Sequence, residues 1–426
     1  MTDGKKVALV FGASGISGWA VTKNLLSYPT DTTFDRVIGL MYRQRTIAES
    51  GLPQDPRLEL YSGVDLRTDL ETVKKQMQER IPDLDQVTHV YYLAYSNATA
   101  YTENVMGIKD INKGMTYNAV HAADTLCSRL QFFVLQTGTN NYGVAVFQYM
   151  DKIEINPPLR EDNPRIPSPY GDEIFYYDQV DLIKEAAEGK SWKWCEVRPD
   201  QIIGFVPNVS GMTFIEPLAL YLALYRFVNG PGASVTFPGT KTNFTYTFTD
   251  SSQDMISKSE IYLSVVQPDQ ANGEAFNIAD TDVPGPWTVK WPILAEYFGL
   301  KGTGPGKRGW ENLEEWWTEH QDDYRRMCKT YSLEPRQVPP SSWIFLKTGF
   351  TLLDRNREMC LDKIRGVGFK EEIPVGAGHI IALERIAEAK LIPSRHALST
   401  SLLLQSESSK IMDKSPVMEM ASNVVH

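Results

Sequence analysis

The chain of 426 residues has few of the residues that build metal sites, disulfide scaffolds or nucleic-acid interfaces. Its four cysteines form no Cys-x-x-Cys pair, and its six histidines share no ligand spacing. We therefore predict no metal site and expect reduced cysteines, as is usual for proteins inside cells. Lysine and arginine number 43 against 53 aspartate and glutamate residues, which gives a formal charge of −10. Because nucleic-acid binding normally needs a basic face, no nucleic-acid partner is expected.

The sequence also lacks a long hydrophobic run. No stretch approaches the length of a membrane span, and the first residues, Met-Thr-Asp-Gly-Lys-Lys, have no apolar core of a signal peptide. Hydrophobic residues make up 42% and charged residues 23% of the chain, an ordinary balance for a globular protein that buries a core. We therefore predict a cytoplasmic protein without a membrane span.

Three glycines at three-residue spacing follow the first strand-like segment. The apolar run 6–11 ends at Gly12, and Gly15 and Gly18 follow. The first glycine permits a tight turn, the second lets the backbone approach a pyrophosphate, and the third lets the next helix pack against the strand. The N-terminus of that helix then presents N–H groups to the anion. The G-x-x-G-x-x-G spacing is typical of short-chain dehydrogenases. The residues of this turn predicted to contact a dinucleotide are Gly12, Ser14, Gly15, Ile16 and Gly18.

The end of the second predicted strand favours NADP over NAD. An NAD-binding unit usually carries an acidic residue there for the ribose diol, whereas Arg43 and Arg45 follow the strand here. A guanidinium group can donate two parallel hydrogen bonds to a phosphate, so we predict NADP(H) as the cofactor. The third predicted strand ends at Asp65 and Leu66, where such folds place a carboxylate near the adenine.

Strand-like and helical segments alternate through the first half of the chain, which predicts βαβ units and a parallel sheet. The predicted fold is α/β, a doubly wound parallel Rossmann sheet with a smaller, mainly helical C-terminal region that binds substrate. We expect an NADP-binding domain over residues 1–205 and a substrate-binding region over 206–393, with Rossmann elements returning near 231–280. The tryptophan-rich and charged helices over 309–330 are expected to form part of a substrate lid, and 394–426 a flexible tail.

A series of motifs in this order resembles the atypical short-chain dehydrogenases of the progesterone 5β-reductase and iridoid synthase type. The motifs are GASGISG at 12–18, VTHVYY at 87–92, LQTG at 135–138, FYYD at 175–178, RP at 198–199 with IGF at 203–205, and EAFN at 274–277. The resemblance covers about residues 5–393 and extends to members from fungal secondary metabolism. It implies an NADPH-dependent 1,4-reduction of an enone or enal, or reduction of a carbonyl, in a small hydrophobic natural product. A monomer or a homodimer is usual for such a fold.

The resemblance also implies a catalytic tyrosine whose hydroxyl stabilises the developing oxyanion. We assign it to Tyr177, which stands eight residues before Glu185 as in the Y-x-x-x-K-x-x-x-E pattern, with Tyr176 as the second choice. The usual lysine four positions on is Asp181, a loss that the resembling family shares. That family carries a compensating lysine in its strand-five motif, and this position holds Asn140.

The site is therefore expected to keep a tyrosine and to have neither lysine. Asn140 is the second predicted catalytic residue, as an uncharged donor, and Gly138 stands where ordinary short-chain dehydrogenases carry serine. The other residues predicted to contact the cofactor are Ala94, Thr137, Tyr177, Arg198, Pro199 and Ile202. Candidate pocket residues are Tyr95, Asn97, Thr137, Tyr142, Phe147 and Tyr149.

The missing lysine leaves more than one function open. In the first hypothesis the protein is an NADPH-dependent reductase whose substrate needs little help with protons. In the second, Tyr177 and Asn140 polarise a carbonyl for a non-redox isomerisation or cyclisation. A third hypothesis is an NADP-sensing regulator without catalysis. In the second hypothesis the dinucleotide would be structural or absent, whereas the glycine turn and the pair Arg43 and Arg45 favour a retained cofactor.

Overall fold

The computed structural model describes residues 4–96, 106–208, 213–307 and 309–399. The strands are β1 Val7–Phe11, β2 Arg36–Met41, β3 Leu58–Ser62, β4 His89–Tyr92, β5 Phe132–Gln136, β6 Lys193–Pro199, β7 Ile202–Ile203, β8 Ser234–Thr236, β9 Thr247–Phe248, β10 Ser251–Ser252, β11 Glu274–Ile278, β12 Gly285–Pro286 and β13 Lys301–Thr303. The helices are α1 Ile16–Asn24, α2 Ile47–Ser50, α3 Leu70–Arg80, α4 Met106–Leu126, α5 Phe175–Ala187, α6 Ile215–Asn229, α7 Lys241–Thr245, α8 Gln253–Val265, α9 Pro268–Ala271, α10 Trp287–Tyr297, α11 Leu313–Glu319, α12 Gln321–Tyr331, α13 Pro340–Thr351, α14 Asp362–Gly366 and α15 Ala377–Glu388.

Within these residues, a seven-stranded parallel sheet organises the chain, in the order β11-β6-β5-β4-β1-β2-β3. The predicted doubly wound parallel sheet is confirmed. The strand order reverses between β1 and β4, and a crevice opens beyond the carboxyl ends of strands at such a switch point. Any ligand of the fold is therefore expected next to the turn that follows β1.

Strand β1 is apolar throughout because helices cover both faces of the sheet. Ala8 and Val10 point into one core with side chains of α1 and α8. Val7, Leu9 and Phe11 point into the other, with side chains of α3, α4 and α5. Burial on both sides holds the end of β1 and its glycine turn rigidly at the crevice.

A third core lies outside the sheet and is rich in aromatic side chains. It joins α6, α10, α11, α12, α13 and α15, and the rings of Phe237, Trp287 and Phe350 lie 5.1–5.8 Å apart in pairs. Leu398 is also buried in this core, so packed structure continues beyond the predicted start of the tail at 394. Residues 400–426 lie outside the described part of the chain. Of the helices described, none combines the length and the apolar character needed to cross a membrane.

Candidate active site

A cleft of about 1030 Å³ opens at the carboxyl ends of the sheet strands. Its lining begins at the turn after β1, continues past the ends of β2 to β6, and is closed by the start of α5 and one face of α13. The sheet thus brings together side chains that are hundreds of residues apart in sequence. We call the part of the cleft near β1 to β3 the nucleotide end and the part near α5 and α13 the substrate end, after the ligands expected there from the sequence.

Two of the three glycines of the turn, Gly12 and Gly18, have no room for a side chain. Gly12 has a φ of +86°, and a Cβ there would lie 2.8 Å from backbone atoms of Leu93 and Ala94. A Cβ on Gly18 would lie 2.0 Å from the carbonyl oxygen of Gly12, so α1 can start against the strand only if this residue is glycine. Gly15 caps α1 without a side chain. The helix N-terminus is therefore bare toward the cleft, a cradle that fits a pyrophosphate.

Four of the five predicted turn residues line the cleft, namely Gly12, Ser14, Gly15 and Ile16. Gly18 instead packs behind the turn. At the same end the predicted Asp65, Leu66 and Ala94 line the cleft as well. Arg43 is exposed and Arg45 half-buried just beyond Tyr42, and neither is among the described lining residues.

Arg67 was not predicted and lines the nucleotide end beside Asp65. Its Nε and Nη2 each donate to a different oxygen of the Asp65 carboxylate at 2.8 Å, and Nη2 also donates to the Tyr42 hydroxyl at 2.8 Å. This guanidinium holds the pKa of Asp65 below its usual range. The signal in the sequence is the arginine two residues after Asp65.

The two neighbouring tyrosines at the start of α5 have different surroundings. Tyr177 donates its hydroxyl hydrogen to the Asn141 carbonyl oxygen at 2.6 Å and accepts from the Ile166 N–H at 2.9 Å. It is not among the described residues that line the cleft, whereas Tyr176 is. Adjacent helical residues point about 100° apart, and here the rotation of α5 directs the Tyr176 side chain into the cleft and the Tyr177 side chain toward the loop. Tyr176, the second choice from the sequence, is thus the tyrosine that lines the cleft, while the Tyr177 hydroxyl connects the loop segments at Asn141 and Ile166.

Tyr176 stands opposite the end of β5. A Cβ on Gly138 would lie 3.6 Å from the Tyr176 hydroxyl, so the position that ordinary short-chain dehydrogenases give to serine adjoins this oxygen. Burial raises the pKa of Tyr176 above its usual range, and nearby Tyr95 and Glu196 raise it further. The hydroxyl therefore stays protonated at neutral pH and has a hydrogen to donate.

Asn140 lines the cleft on the same side as Gly138. Its Oδ1 accepts from the Ala145 N–H at 3.0 Å, which leaves the amide N–H groups as its means of contacting a ligand. Asp181 does not supply a charge to the cleft, because Arg165 binds both of its oxygens at 2.7 and 2.8 Å. The two positions at which lysine is expected, 140 and 181, therefore bring no positive charge to the cleft.

The ends of β5 and β6 carry a buried polar network behind the cleft. Thr137 lines the cleft, but its hydroxyl donates to Glu196 at 2.5 Å. Pro199 and Ile202, which were predicted to contact the cofactor, also line the cleft. Arg198, predicted to contact the cofactor, turns below it and binds Glu196 at 2.7 Å. Its charge therefore neutralises a buried carboxylate rather than facing the ligand.

The substrate end of the cleft is apolar and partly aromatic. Tyr95 stacks on Phe175 at 6.1 Å between ring centroids, and Phe175 contacts Tyr176 edge to face at 4.7 Å. Helix α13 contributes Ile344 and Phe345 to the opposite wall. This helix, rather than the tryptophan-rich segment 309–330, supplies the covering wall, because the latter packs into the aromatic core.

The other candidate pocket residues divide into three groups. Phe147 lines the cleft. Tyr142 is buried and donates to Asn277 at 2.6 Å, and Tyr149 packs against Tyr170. Asn97 lies outside the described residues.

Sequence comparison agrees with the motifs. A family model described as "PRISE-like Rossmann-fold domain" matches residues 8–393. The chain is 54% identical over 395 residues to "Short chain dehydrogenase ausT" of Aspergillus calidoustus, covering 93% of this chain and 96% of that protein. It is 31% identical over 301 residues to the "3-oxo-Delta(4,5)-steroid 5-beta-reductase" of Arabidopsis thaliana, covering 70% and 71% of the two chains.

Solved structures share the fold at low sequence identity. A putative epimerase from Burkholderia cenocepacia superposes with a TM-score of 0.57 at 16% identity, covering 90% of this chain and 98% of that one. The resemblance drawn from the motifs is confirmed by the family model and the relatives. The chain belongs to the PRISE-like Rossmann-fold family of short-chain dehydrogenases/reductases.

Proposed function

We propose that the protein is an NADPH-dependent reductase that reduces an activated C=C bond of an enone or enal in a small hydrophobic substrate. The observation that carries this proposal is the position of Tyr176. Its protonated hydroxyl shares one continuous cleft with the bare N-terminus of α1 and with an apolar, partly aromatic wall. A dinucleotide cradle, an oxyanion donor and an apolar substrate wall are the three parts that such a reaction needs.

The residues at the nucleotide end fit a dinucleotide phosphate. Gly12 and Gly15 leave the cradle open for the pyrophosphate, and Leu66 and Ala94 flank it. Arg43 and Arg45, just beyond the lining, support NADP over NAD, because a guanidinium favours a 2′-phosphate. The relative from Arabidopsis, named a steroid 5-beta-reductase, supports reduction of an activated double bond. When bound, the reduced nicotinamide supplies the hydride.

The chain's own residues act on the carbonyl oxygen. Tyr176 donates a hydrogen bond to this oxygen, and the charge that develops there strengthens the bond. The Asn140 amide is a second donor on the same wall. One such preorganised donor contributes about 3 kcal/mol to transition-state stabilisation. The proton that completes the saturated product reaches the α-carbon from water.

The same geometry favours reduction of the C=C bond over reduction of the carbonyl. An alkoxide product needs a proton on its oxygen, and the raised pKa of Tyr176 without an adjacent lysine makes the tyrosine a poor proton source. An enolate needs only hydrogen bonds at its oxygen. Neutral donors at positions 176 and 140 are adequate for that task.

A second candidate function, a non-redox isomerase or cyclase, is favoured by one observation. Both lysine positions hold other residues, Asn140 and Asp181, so the site polarises a carbonyl without assisting proton transfer. Such an enzyme would convert its substrate while the amount of reduced cofactor stayed constant.

The test is to incubate the purified protein with NADPH and a panel of enals and enones, citral included, while following absorbance at 340 nm. The proposal expects cofactor oxidation with formation of the saturated carbonyl product, and unsaturated alcohol as the main product would contradict the preference for C=C. Failure of NADPH to bind, measured by fluorescence titration, would overturn the reductase. Substrate conversion without NADPH oxidation would establish the isomerase or cyclase instead.

A further inference from the structure

We propose that Arg165 and Asp181 are positioning residues that hold a loop over the substrate end of the cleft, and that this task requires an acidic residue at position 181. The loop, residues 141–166, supplies Phe147 and Gln148 to the cleft lining. This inference rests on the proposed function. It gives Asp181 a role of its own, beyond the absence of a lysine.

Both ends of the loop meet at the Tyr177 hydroxyl. This group donates to the Asn141 carbonyl oxygen at 2.6 Å and accepts from the Ile166 N–H at 2.9 Å. Gly171, which follows the loop, packs directly on its last residue, since a Cβ on Gly171 would overlap the Ile166 carbonyl oxygen. The loop is therefore closed at its base by α5 and by the turn that precedes α5.

Arg165, the residue before Ile166, lies along one face of α5. Its guanidinium lies 4.8 Å from the centre of the Tyr177 ring, and Nη1 and Nη2 each donate to a different oxygen of Asp181, at 2.8 and 2.7 Å. Tyr177 and Asp181 are four residues apart on α5, so their side chains are neighbours on the helix surface. A lysine at position 181 would instead place an ammonium group against the guanidinium, and the two positive charges would repel each other.

The loop contacts residues that the proposed reaction uses. The Ala145 N–H donates to Asn140 Oδ1 at 3.0 Å, so the loop orients the Asn140 amide. Val146 is buried in a small hydrophobic core against which Tyr176 packs, and Phe147 adds an aromatic side chain to the cleft lining. Displacement of the loop should therefore disturb substrate binding more than dinucleotide binding, because the glycine turn lies at the other end of the cleft.

A surface ion pair without such a loop would behave differently. Exposed pairs add little to the global stability of a protein, and the side chains of Arg165 and Asp181 are 48% and 58% exposed. The effect is therefore expected in the loop rather than in global unfolding. The chain contains a matched pair for comparison, because Arg57 binds both oxygens of Asp55 at 3.0 and 2.7 Å, before β3 and outside the described cleft lining.

The test compares Asp181→Lys with Asp55→Lys by hydrogen exchange of the peptide 143–153 and by enone reduction. In Asp181→Lys we expect the amide hydrogens of this peptide to exchange about tenfold faster, because repulsion from Arg165 opens the loop. We expect KM for the enone to rise about fivefold and the Kd for NADPH to change less than about threefold. Asp55→Lys should leave the exchange of 143–153 and the KM unchanged, whatever its effect on unfolding in urea.

A charge-exchanged variant tests whether the pair itself holds the loop. Arg165→Glu alone places two carboxylates together and should behave like Asp181→Lys. In the double variant, Arg165→Glu with Asp181→Lys, the attraction is restored with its direction reversed. Exchange of 143–153 and KM should then return to within about twofold of wild type, although each single change is harmful.

Wild-type exchange of 143–153 in Asp181→Lys would overturn the inference, whether or not an enone is reduced. Faster enone reduction in Asp181→Lys would also overturn it, because the new lysine would then act as the lysine of the Y-x-x-x-K pattern. No recovery in the double variant would show that position 181 acts without Arg165, again against the inference. A wild-type protein that oxidises NADPH with no enone or enal would overturn the proposed function, and the exchange of 143–153 would still decide whether the pair holds the loop.

Discussion

The nucleotide end and the substrate end of the cleft are held in place by different physical means. At the nucleotide end, glycines at positions 12 and 18 meet backbone atoms at distances that exclude any side chain, above cores that are apolar. At the substrate end, buried charges lie beneath the lining. Asp200 lines the cleft and is bound by Arg357 at 2.7 Å, and Asp250 is bound by Lys290 at 2.7 Å.

This difference indicates which changes each end of the cleft is sensitive to. Steric fit at the glycine turn makes this part of the nucleotide end sensitive to a single added atom. The substrate end depends on charges and hydrogen bonds, so it responds to the loss of a polar atom and to protonation. The predictions below test this contrast, beginning with the largest expected effect.

The largest effect is expected for Gly18→Ala. The new Cβ would lie 2.0 Å from the Gly12 carbonyl oxygen, so the turn must open or α1 must move. Alanine otherwise favours a helix by about 1 kcal/mol over glycine, and the clash reverses that sign. We expect NADPH binding to weaken more than about a hundredfold and the melting temperature to fall, measured by fluorescence titration and thermal unfolding.

The control is Gly15→Ala, whose Cβ meets Gly12 at an ordinary 3.4 Å and should leave the fold intact. Wild-type affinity in Gly18→Ala would show that the turn is not constrained by packing.

The second prediction compares the two tyrosines of α5. In Tyr176→Phe we expect kcat/KM for enone reduction to fall about 100- to 1000-fold, the cost of removing one oxyanion donor, with an unchanged Kd for NADPH. Tyr177→Phe removes the hydrogen bonds to Asn141 and Ile166, so it should lower the free energy of unfolding by about 1–2 kcal/mol and reduce activity less than tenfold. A larger loss of activity in Tyr177→Phe, at unchanged stability, would return the catalytic role to Tyr177.

The third prediction concerns the uncharged donor at position 140. Asn140→Lys places a positive charge near the oxyanion, and we expect enone reduction to rise about tenfold, a change of about 1.4 kcal/mol in the barrier. The same charge should lower the pKa of Tyr176, so activity falls at a lower alkaline pH than in the wild type.

Asn140→Asp is the matched variant, because it keeps the oxygen that binds the Ala145 N–H and adds the opposite charge. This variant should reduce the enone more slowly than wild type. No gain in Asn140→Lys would mean that the missing charge does not limit the reaction.

The smallest effect is a pH dependence of stability beneath the substrate end. Burial lowers the pKa of His379 to about 4, from 6.5. Because the folded state keeps this imidazole neutral, the stability present above pH 6.5 is lost as the pH falls toward 4. Between pH 7.5 and 5, wild type should lose about 1–2 kcal/mol more than His379→Gln in urea unfolding.

The control for this measurement is His121→Gln on α4, which should follow the wild-type curve. Asp280 gives the free energy of unfolding the opposite dependence on pH. Burial raises the pKa of its carboxyl group to about 7, so the stability that Asp280 contributes is lost as the pH rises from 3.8 toward 7. Wild type and His379→Gln both contain Asp280, so the difference between their unfolding free energies measures the contribution of His379. Parallel curves for wild type and His379→Gln would show that the buried charges do not respond to acid.

The sequence by itself determined the parts of the protein that depend on local backbone geometry. A turn that needs glycine at Gly12 and Gly18 can be recognised from spacing alone, because no other residue fits. The alternation of buried strands and helices predicted the parallel sheet for a similar reason, and the ordered motifs predicted the family. The predicted parallel sheet and the predicted family are confirmed. The domain boundary at residue 205 and the oligomeric state stay predictions.

Only the tertiary structure decided which side chains share the cleft. Spacing in the sequence favoured Tyr177 over Tyr176, whereas the rotation of α5, set by its packing, turns Tyr176 toward the cleft and Tyr177 toward the loop. Arg67 reaches the cleft because β3 ends beside β2, and Ile344 and Phe345 reach it because α13 packs over the cleft. Side-chain direction depends on which elements pack together, and that information lies in long-range contacts rather than in any local pattern of residues.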